Sequence, residues 1–310
     1  MSRNFNLGQR DMERAGRAAL NQAALSGHIS FSTAATNSER WRCFTKWAKA
    51  HDIKKMENVS KQIVTSYGRF LADQVSSHAM APATAQNYVS AVNSVMSIAT
   101  TWRSVSPTKD CGIEQRCAIR QDPPAALDKN IYNQALDAVS QRIGERAAAV
   151  VELARELGLR SKEASLLNAR EALTEAQNKG LITVLDGSKG GREREIQITS
   201  RCQREALERA AEAQGSARAV MPEGQNWKTW RTGELKDARD VIREQTGGSL
   251  HDLRASYACE RYEALVQHPA PCTGAFIQDR QLDEQARLQI ALELGHSRIE
   301  VVAEYVGGRG

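Results

Sequence analysis

Apolar residues recur at helical spacing along most of the chain. Between residues 36 and 101 they fall three and four positions apart, which is typical of helices that bury one face. Two such stripes are Trp41, Phe44, Trp47 and Ala48, followed by Ile63, Val64, Tyr67, Phe70 and Leu71. Pro82 stands where a third helix, "ATAQNYVSAVNSVMSIAT", would begin. We therefore expect a helical domain over residues 28–102, preceded by a polar arm over residues 1–27 that can hold one helix.

The periodicity stops at residues 103–124, "RSVSPTKDCGIEQRCAIRQDPP", where prolines, a glycine and several basic residues intervene. We interpret this segment as a basic interdomain linker, with a solvated loop as the alternative. Helical patterns resume near residue 125, and only "GLITVLDGSKGGREREIQIT", residues 180–199, alternates as a β-hairpin does. The pattern predicts a mainly α protein whose second domain, residues 125–310, is α+β with a small antiparallel sheet.

Composition and charge exclude few classes of protein. Forty-two Lys and Arg residues against thirty-seven Asp and Glu residues give a net charge of +5, with both signs interspersed. A surface for a polyanion would therefore have to arise from folding and not from a basic tail. No apolar run reaches membrane-spanning length and the N-terminus lacks a signal-peptide core, so we expect a cytoplasmic protein that does not bind a membrane. The six cysteines show no CxxC pair, which indicates reduced thiols.

Four short segments contain residues that could carry chemistry. In "ELARELGLRSKEASLLN", Gly158 can end one helix and Ser161 can cap the next, which leaves Arg160 in a tight corner. A guanidinium held there is well placed to meet an anion. The alternative is an arginine that caps carbonyls or pairs with a glutamate.

In "GGSLHDLRASYACERY", Leu250, Leu253 and Tyr257 should face the core, so that His251 and Arg254 share a neighbouring helix face. Such a pair suits a shared anionic ligand such as a phosphate. The spacing H-x-x-R is also common by chance.

The hairpin turn "DGSKGGRER" places Lys189 at its tip, with Arg192 and Arg194 following. An ordinary solvated hairpin end is the alternative. The phosphate-loop pattern GxxxxGK[ST] is absent, so the sequence does not indicate nucleotide binding.

The chain closes on "LELGHSRIEVVAEYVGG". Gly295 can end the preceding helix, Ser297 and Glu300 have capping-box spacing, and an apolar stripe beside Tyr305 predicts that this tyrosine is held by packing. Taken alone, Tyr305 could simply be an aromatic anchor for the last helix.

A zinc site is an alternative interpretation of four residues between positions 251 and 272. His251, Cys259, His268 and Cys272 lie close in sequence, but no pair has close ligand spacing, so structural thiols are favoured. We expect no metal and no cofactor.

Taken in order, "LGLRSKEASLL", "GSKGGRERE", "LHDLRASYA" and "LELGHSRIEVVAEY" closely resemble the motifs of the tyrosine recombinase, or phage integrase, family. The resemblance covers residues 128–305, and residues 36–101 are more weakly similar to that family's core-binding domain. It implies a tyrosine recombinase fold and a catalytic set made of Arg160, Lys189, His251, Arg254, His296 and Tyr305.

By this resemblance, Tyr305 attacks the scissile phosphate of DNA and forms a 3′-phosphotyrosyl link. Arg160 and Arg254 would clamp the non-bridging oxygens, and Lys189 would protonate the departing 5′ oxygen. His251 would help to deprotonate the tyrosine, and His296 would hydrogen-bond the phosphate.

The resemblance also implies partners: double-stranded DNA attachment sites, a homotetramer on DNA, an accessory directionality or DNA-bending protein, and a nucleoid-associated location. We expect the DNA contacts to include Thr84, Asn87, Tyr88, Lys109, Arg120 and Arg192. A bundle helix that shows polar residues to water is the alternative for the first three of these residues.

Two features depart from the family. His251 and His296 lie farther apart than is usual, and residues 266–286 have the character of an insertion. Many relatives carry a helix beyond the tyrosine that docks onto a neighbouring subunit, whereas "VGGRG" follows Tyr305 here.

The expected function is integration or excision of a bacterial mobile element. A type IB topoisomerase and a non-catalytic DNA-binding regulator with the same fold are the alternatives.

Overall fold

The structure is a computed structural model that describes residues 3–188 and 193–309, and its chain forms two units. The first unit ends at Cys117 and the second begins at Ala118. The helices of the first unit are α1 (Met12–Leu25), α2 (Phe31–Ala50), α3 (Lys61–Ser76) and α4 (Pro82–Ala99), with short 3-10 turns at Asn4–Asn6 and Met56–Asn58. Pro82 lies in the first turn of α4, as expected.

Helix α1 belongs to the core of the first unit. Met12 and Leu20 are fully buried, and Trp41 of α2 donates from Nε1 to the carbonyl oxygen of Met12 at 3.1 Å. Gly16 lies directly against the same indole ring. The segment expected as an arm therefore contributes a packed helix, because its small and apolar residues fall on one face that can approach Trp41 closely.

The first half of the expected linker also packs on this unit. Val105, Cys111 and Ile113 are buried in the same core as α2 and α3. Asn93 of α4 accepts hydrogen bonds from Val105 N–H at 2.9 Å and from Trp102 Nε1 at 3.0 Å. The boundary between the units falls inside the segment 103–124, but its residues up to 113 pack against the core of the first unit.

The second unit is helical around a small sheet. Its helices are α5 (Lys129–Arg142), α6 (Glu145–Glu156), α7 (Ser161–Leu166), α8 (Ala169–Lys179), α9 (Arg201–Gln214), α10 (Trp227–Thr232), α11 (Glu234–Thr246), α12 (Leu250–Val266), α13 (Arg280–Glu293) and α14 (Ala303–Val306). Short 3-10 turns lie at Ala125–Leu127, Pro271–Thr273 and Ile299–Val302. Strands β1 (Leu181–Val184) and β2 (Arg194–Gln197) pair antiparallel, with Leu181 opposite Gln197. The predicted fold class, mainly α with a small antiparallel sheet, is confirmed.

Two clusters of buried side chains fill this unit. One surrounds α6, which is buried on nearly every face, and includes Ile182, Val184 and Ile196 of the hairpin. The other packs α12, α13 and α14 together and contains Tyr305. Ala270 and Cys272, from the segment that the sequence marked as an insertion, are buried in this second cluster.

A buried arginine fastens α12 to α6. Arg155 has no exposed surface, donates from Nη1 and Nη2 to the Glu260 carboxylate at 2.8 and 2.6 Å, and donates from Nε to the carbonyl oxygen of Ala126. Because a buried guanidinium is tolerated only when its donors are satisfied, this pairing fixes the position of α12.

Among the described residues, we find no helix that is both long enough and apolar enough to cross a membrane.

Gly16→Ala should destabilise the first unit by about 1–3 kcal/mol, because the added Cβ would lie only 2.1 Å from Nε1 of Trp41. Hydrogen exchange in increasing urea, followed by mass spectrometry on peptides of residues 3–117, measures this loss. Asn21→Ala, at an exposed position of the same helix, is the matched control and should change stability by less than about 0.5 kcal/mol. Equal protection in the two variants would contradict the proposed packing.

Candidate active site

The corner before α7 presents Arg160. Gly158 has a φ of +61°, and a Cβ at this position would lie 2.5 Å from the ring of Tyr257, so the corner requires glycine. Arg160, and not Ser161, is the residue that precedes the helix, and its N–H donates to Oε2 of Glu163 at 2.7 Å. The expected cap at Ser161 is wrong by one residue, because the Glu163 carboxylate satisfies the free N–H instead.

Arg254 lies at the centre of the site with 1% of its surface exposed. Its Nη1 donates to the carbonyl oxygen of Gly158, and its Nη2 donates to the carbonyl oxygen of Leu294. The first acceptor belongs to the corner that presents Arg160, and the second to the turn that presents His296. One guanidinium therefore joins three motifs that are far apart in sequence.

The last turn and helix present Tyr305. Gly295 has a φ of +68° and directly follows the C-cap of α13, so the helix ends there as the sequence predicts. Ser297 and Glu300 do not form the expected capping box, since a 3-10 turn at Ile299–Val302 precedes α14 without a side-chain cap. Tyr305 is 2% exposed and packs in the core, in agreement with the prediction that packing holds it.

The phenol oxygen of Tyr305 points at the basic residues. Nε of Arg254 donates to it at 3.5 Å, and Nε2 of His296 lies 3.1 Å from it. The ring of His251 also lies nearby, with its centroid 5.1 Å from that of Tyr305. These groups and Arg160 come from three of the four segments that the sequence singled out.

Burial and positive charge set the protonation of these groups. Loss of water, followed by the charges of Arg254, Arg160 and Arg194, lowers the pKa of His296 to about 4, so this imidazole is neutral near pH 7. The pKa of His251 is also lowered, first by desolvation and then by Arg254, although its side chain lies at the exposed edge of the site. Burial lowers the pKa of Arg254 to about 10, which still leaves it charged at neutral pH.

The chain is similar to known proteins in sequence and in fold. Residues 116–260 match the sequence model of a family described as Integrase. The XerH site-specific recombinase bound to palindromic difH substrate superimposes with a TM-score of 0.61 at 15% identity, covering 94% of this chain and 80% of that one. The chain has the tyrosine recombinase fold.

Two further structures share this fold. A lambda integrase tetramer bound to a Holliday junction has a TM-score of 0.58 at 14% identity, covering 94% of this chain and 76% of that one. The Tn1549 transposon integrase, residues 82–397, in complex with circular intermediate DNA has a TM-score of 0.56 at 11% identity, covering 94% and 95%. No curated protein sequence matches this chain. The resemblance drawn from the four motifs is confirmed.

The site contains a buried carboxylate, that of Glu163, which the sequence indicated only as an unnamed glutamate partner of Arg160. Glu163 has no exposed surface, binds Nη1 of Arg160 at 2.7 Å, and accepts from Nη1 and Nη2 of Arg194 at 3.0 and 2.7 Å. Burial alone would raise the pKa of Glu163, but the hydrogen bonds and charge of Arg194 lower it below its usual value. A glutamate three residues after Arg160 was the available signal, since that spacing suits a helix start.

Arg194 extends this pairing across the site. It is 7% exposed, and its Nε donates to the carbonyl oxygen of Glu293 at 2.7 Å, just before the turn that holds Gly295 and His296. The sequence analysis noted Arg194 only as a basic residue of the hairpin. Its partners lie in α7 and at the end of α13, and therefore sequence spacing could not reveal them.

Two predicted site residues, Lys189 and Arg192, lie outside the described residues. The segment leading to them does pack beside the site, because a Cβ on Gly187 would lie 3.0 Å from the backbone of Lys162 and Glu163.

The other predicted DNA-contact residues differ in how much of their surface is exposed. On α4, Thr84 is exposed, while Asn87 and Tyr88 are half-buried and Tyr88 accepts a hydrogen bond from the thiol of Cys43. Lys109 is exposed on a turn. Arg120 is half-buried and bonded to acceptors of the second unit.

Two buried thiols lie behind the tyrosine. The Sγ atoms of Cys259 and Cys272 are 3.5 Å apart, and both approach the carbonyl oxygen of Tyr305. All six cysteines lie in the described residues as free thiols. Within residues 3–188 and 193–309, no three His, Cys, Asp or Glu side chains cluster as a metal site would need.

The lowered pKa of His296 predicts how the second unit responds to acid. In the unfolded chain this histidine takes up a proton below about pH 6.5, whereas folded His296 does so only near pH 4. The free energy of unfolding therefore falls as the pH falls through this window. The slope contributed by this one group is at most about 1.4 kcal/mol per pH unit.

Replacing His296 by glutamine should therefore make stability less sensitive to pH between 6.5 and 4.5. Urea-dependent hydrogen exchange of peptides from residues 118–309 gives the slope for each protein. His28→Gln, at an exposed position of the first unit, should keep the slope of the unmodified chain. If His296→Gln keeps the same slope as well, the assigned protonation state is wrong.

Proposed function

We propose that this chain is a site-specific DNA recombinase that cuts and rejoins DNA through a tyrosine nucleophile. The observation that supports this most directly is the position of the Tyr305 phenol oxygen, 3.5 Å from Nε of Arg254 and 3.1 Å from Nε2 of His296. A tyrosine that only anchored a helix would have no need of a charged arginine and a neutral imidazole at its hydroxyl group.

In the proposed reaction, the Tyr305 oxygen attacks the phosphorus of the scissile phosphodiester. A 3′-phosphotyrosyl bond forms, the bond to the 5′ oxygen breaks, and that oxygen leaves as a hydroxyl group after taking a proton. The new ester conserves the energy of the broken bond, so attack by a 5′ hydroxyl can reverse the step without ATP.

The phenol proton must leave as the new bond forms. His296 has the better position to accept it, because its Nε2 lies within hydrogen-bonding distance of the phenol and its low pKa keeps it neutral. His251, to which the resemblance gives this role, contacts the tyrosine through its ring and can share the proton transfer or bind the phosphate.

The arginines would stabilise the charge that develops on the phosphate. Arg254 is fixed by two carbonyl oxygens and Arg160 by Glu163, so neither has to reorganise when the pentacoordinate phosphorus forms. In this proposal Lys189 donates the proton to the leaving 5′ oxygen.

The biological setting of the proposal follows from the structures that share the fold. They include a lambda integrase tetramer on a Holliday junction and a transposon integrase with circular intermediate DNA. We infer that this chain likewise acts as a tetramer on double-stranded attachment sites and moves a mobile element in a bacterium, with an accessory protein that sets direction. The helical first unit would bind DNA through α4, near Thr84, Asn87 and Tyr88.

Tyr305→Phe should retain DNA binding and lose covalent complex formation completely, because the nucleophilic oxygen is absent. The substrates are overlapping nicked duplexes that together cover the DNA flanking the gene. On a nicked duplex, a cleaved strand cannot be rejoined. Denaturing gels measure the covalent adduct, and gel shifts measure binding. Tyr132→Phe is the matched control, since within the described chain the buried Tyr132 hydroxyl has no hydrogen-bond partner.

The same experiment separates the competing functions. An adduct formed by Tyr305→Phe would exclude this residue as the nucleophile. Tight binding by the unmodified chain without an adduct on any duplex would favour a non-catalytic regulator. Relaxation of supercoiled plasmid by the monomer, without recombinant product, would favour a type IB topoisomerase.

Lys189→Ala should slow cleavage by about 10²–10⁴-fold, because the 5′ oxygen then leaves without its proton donor. A substrate with sulfur in place of that bridging oxygen should restore the rate, since a thiolate leaves without a proton. Arg160→Ala should stay slow on the sulfur substrate, and Lys179→Ala, an exposed lysine paired with Glu175, should cleave normally on both. No recovery of Lys189→Ala on sulfur would exclude Lys189 as the proton donor.

A further inference from the structure

Arg120 makes three contacts around the helix that carries Tyr305. Its backbone N–H donates to the carbonyl oxygen of Ala303 at 2.9 Å, and its Nε donates to the carbonyl oxygen of Glu304 at 3.3 Å. Its Nη2 donates to Oδ1 of Asp252 at 2.8 Å. Arg120 is the third residue of the second unit, so these contacts lie within that unit.

The first two contacts stabilise α14 from outside the helix. A helix of four residues is not stable alone, and its last carbonyl groups have no partners within the helix. Arg120 donates to the carbonyl oxygens of the two residues before Tyr305, and that of Ala303 also accepts from the N–H of Gly307 at 3.3 Å. The backbone just before the nucleophile is thereby bonded to Arg120 at two points.

The third contact ties this helix to the start of α12. Oδ2 of Asp252 accepts from N–H and Oγ of Ser249 at 2.8 and 2.9 Å and so caps α12, while Oδ1 accepts from Arg120. The side chains of Arg120 and Asp252 are only 17% and 25% exposed, which makes their ion pair stronger than a surface pair. Asp252 directly follows His251, and Arg254 lies two residues further along the same helix.

We propose that Arg120 is a positioning residue that holds the helix of Tyr305 against the start of α12, and that it is not a phosphate contact. This inference rests on the proposed recombinase function for its effect on cleavage. Because its side chain bonds Glu304 and Asp252, the loss of Arg120 should loosen α14, reduce the rate of cleavage and leave DNA affinity nearly unchanged.

The test compares Arg120→Ala with Arg116→Ala, which removes a charge from an exposed residue four positions earlier. Affinity for a cleavable duplex is measured at two salt concentrations, and adduct formation is measured in single turnover at saturating DNA. Arg120→Ala should form the adduct roughly 10- to 100-fold more slowly, with an affinity within twofold of that of Arg116→Ala. Arg120→Lys, which keeps the charge, should recover part of the rate.

A double-mutant cycle tests the contact itself. Asp252→Asn should slow cleavage in the same way, and the double variant Arg120→Ala/Asp252→Asn should be no slower than the worse single variant. Fully multiplicative losses would overturn the proposal. So would weaker binding by Arg120→Ala with a shallower salt dependence and a normal rate at saturating DNA, which is the behaviour of a phosphate contact.

Hydrogen exchange without DNA separates this proposal from the function on which it rests. Amides of residues 299–306 should exchange faster in Arg120→Ala than in the unmodified chain and in Arg116→Ala. Equal exchange in all three proteins would overturn the positioning role. If the unmodified chain forms no adduct at all, the recombinase function fails, and the exchange result still shows whether Arg120 holds this helix.

Discussion

The buried guanidinium of Arg254 is the interaction on which the arrangement of this site depends. It donates to carbonyl oxygens that lie 96 and 40 residues away in sequence, and to a phenol 51 residues away. A buried charge is costly unless its donors are bonded, so the chain must bring all these acceptors to one place. Gly158 and Gly295, both with positive φ, make the tight turns on which two of the acceptors lie.

Excess positive charge follows from this arrangement. Arg254, Arg160 and Arg194 surround one buried carboxylate, that of Glu163. Burial and this remaining positive charge together lower the pKa of His296 and of His251, and His296 is neutral near pH 7. The same excess suits a ligand that brings negative charge, and a phosphodiester is the ligand that the proposed chemistry requires.

Sequence reasoning succeeded where the information was local. The hairpin, the turns at Gly158 and Gly295, and the helix that carries Arg254 depend on neighbouring residues, and their order along the chain indicated the fold. It failed where a side chain depends on a partner far away: Arg194, Glu163 and Arg120 are all bonded across the fold. Ser161 and Ser297 had favourable capping spacing, but the cap positions before α7 and the last 3-10 turn belong to Arg160 and Arg298.

In the proposed reaction, Tyr305 makes a covalent bond to DNA. Digestion of the protein–DNA adduct, followed by mass spectrometry, identifies the modified peptide and the DNA end. We expect a single phosphotyrosyl bond at Tyr305, linked to a 3′ phosphate. Attachment to any other residue, or to a 5′ phosphate, would contradict it.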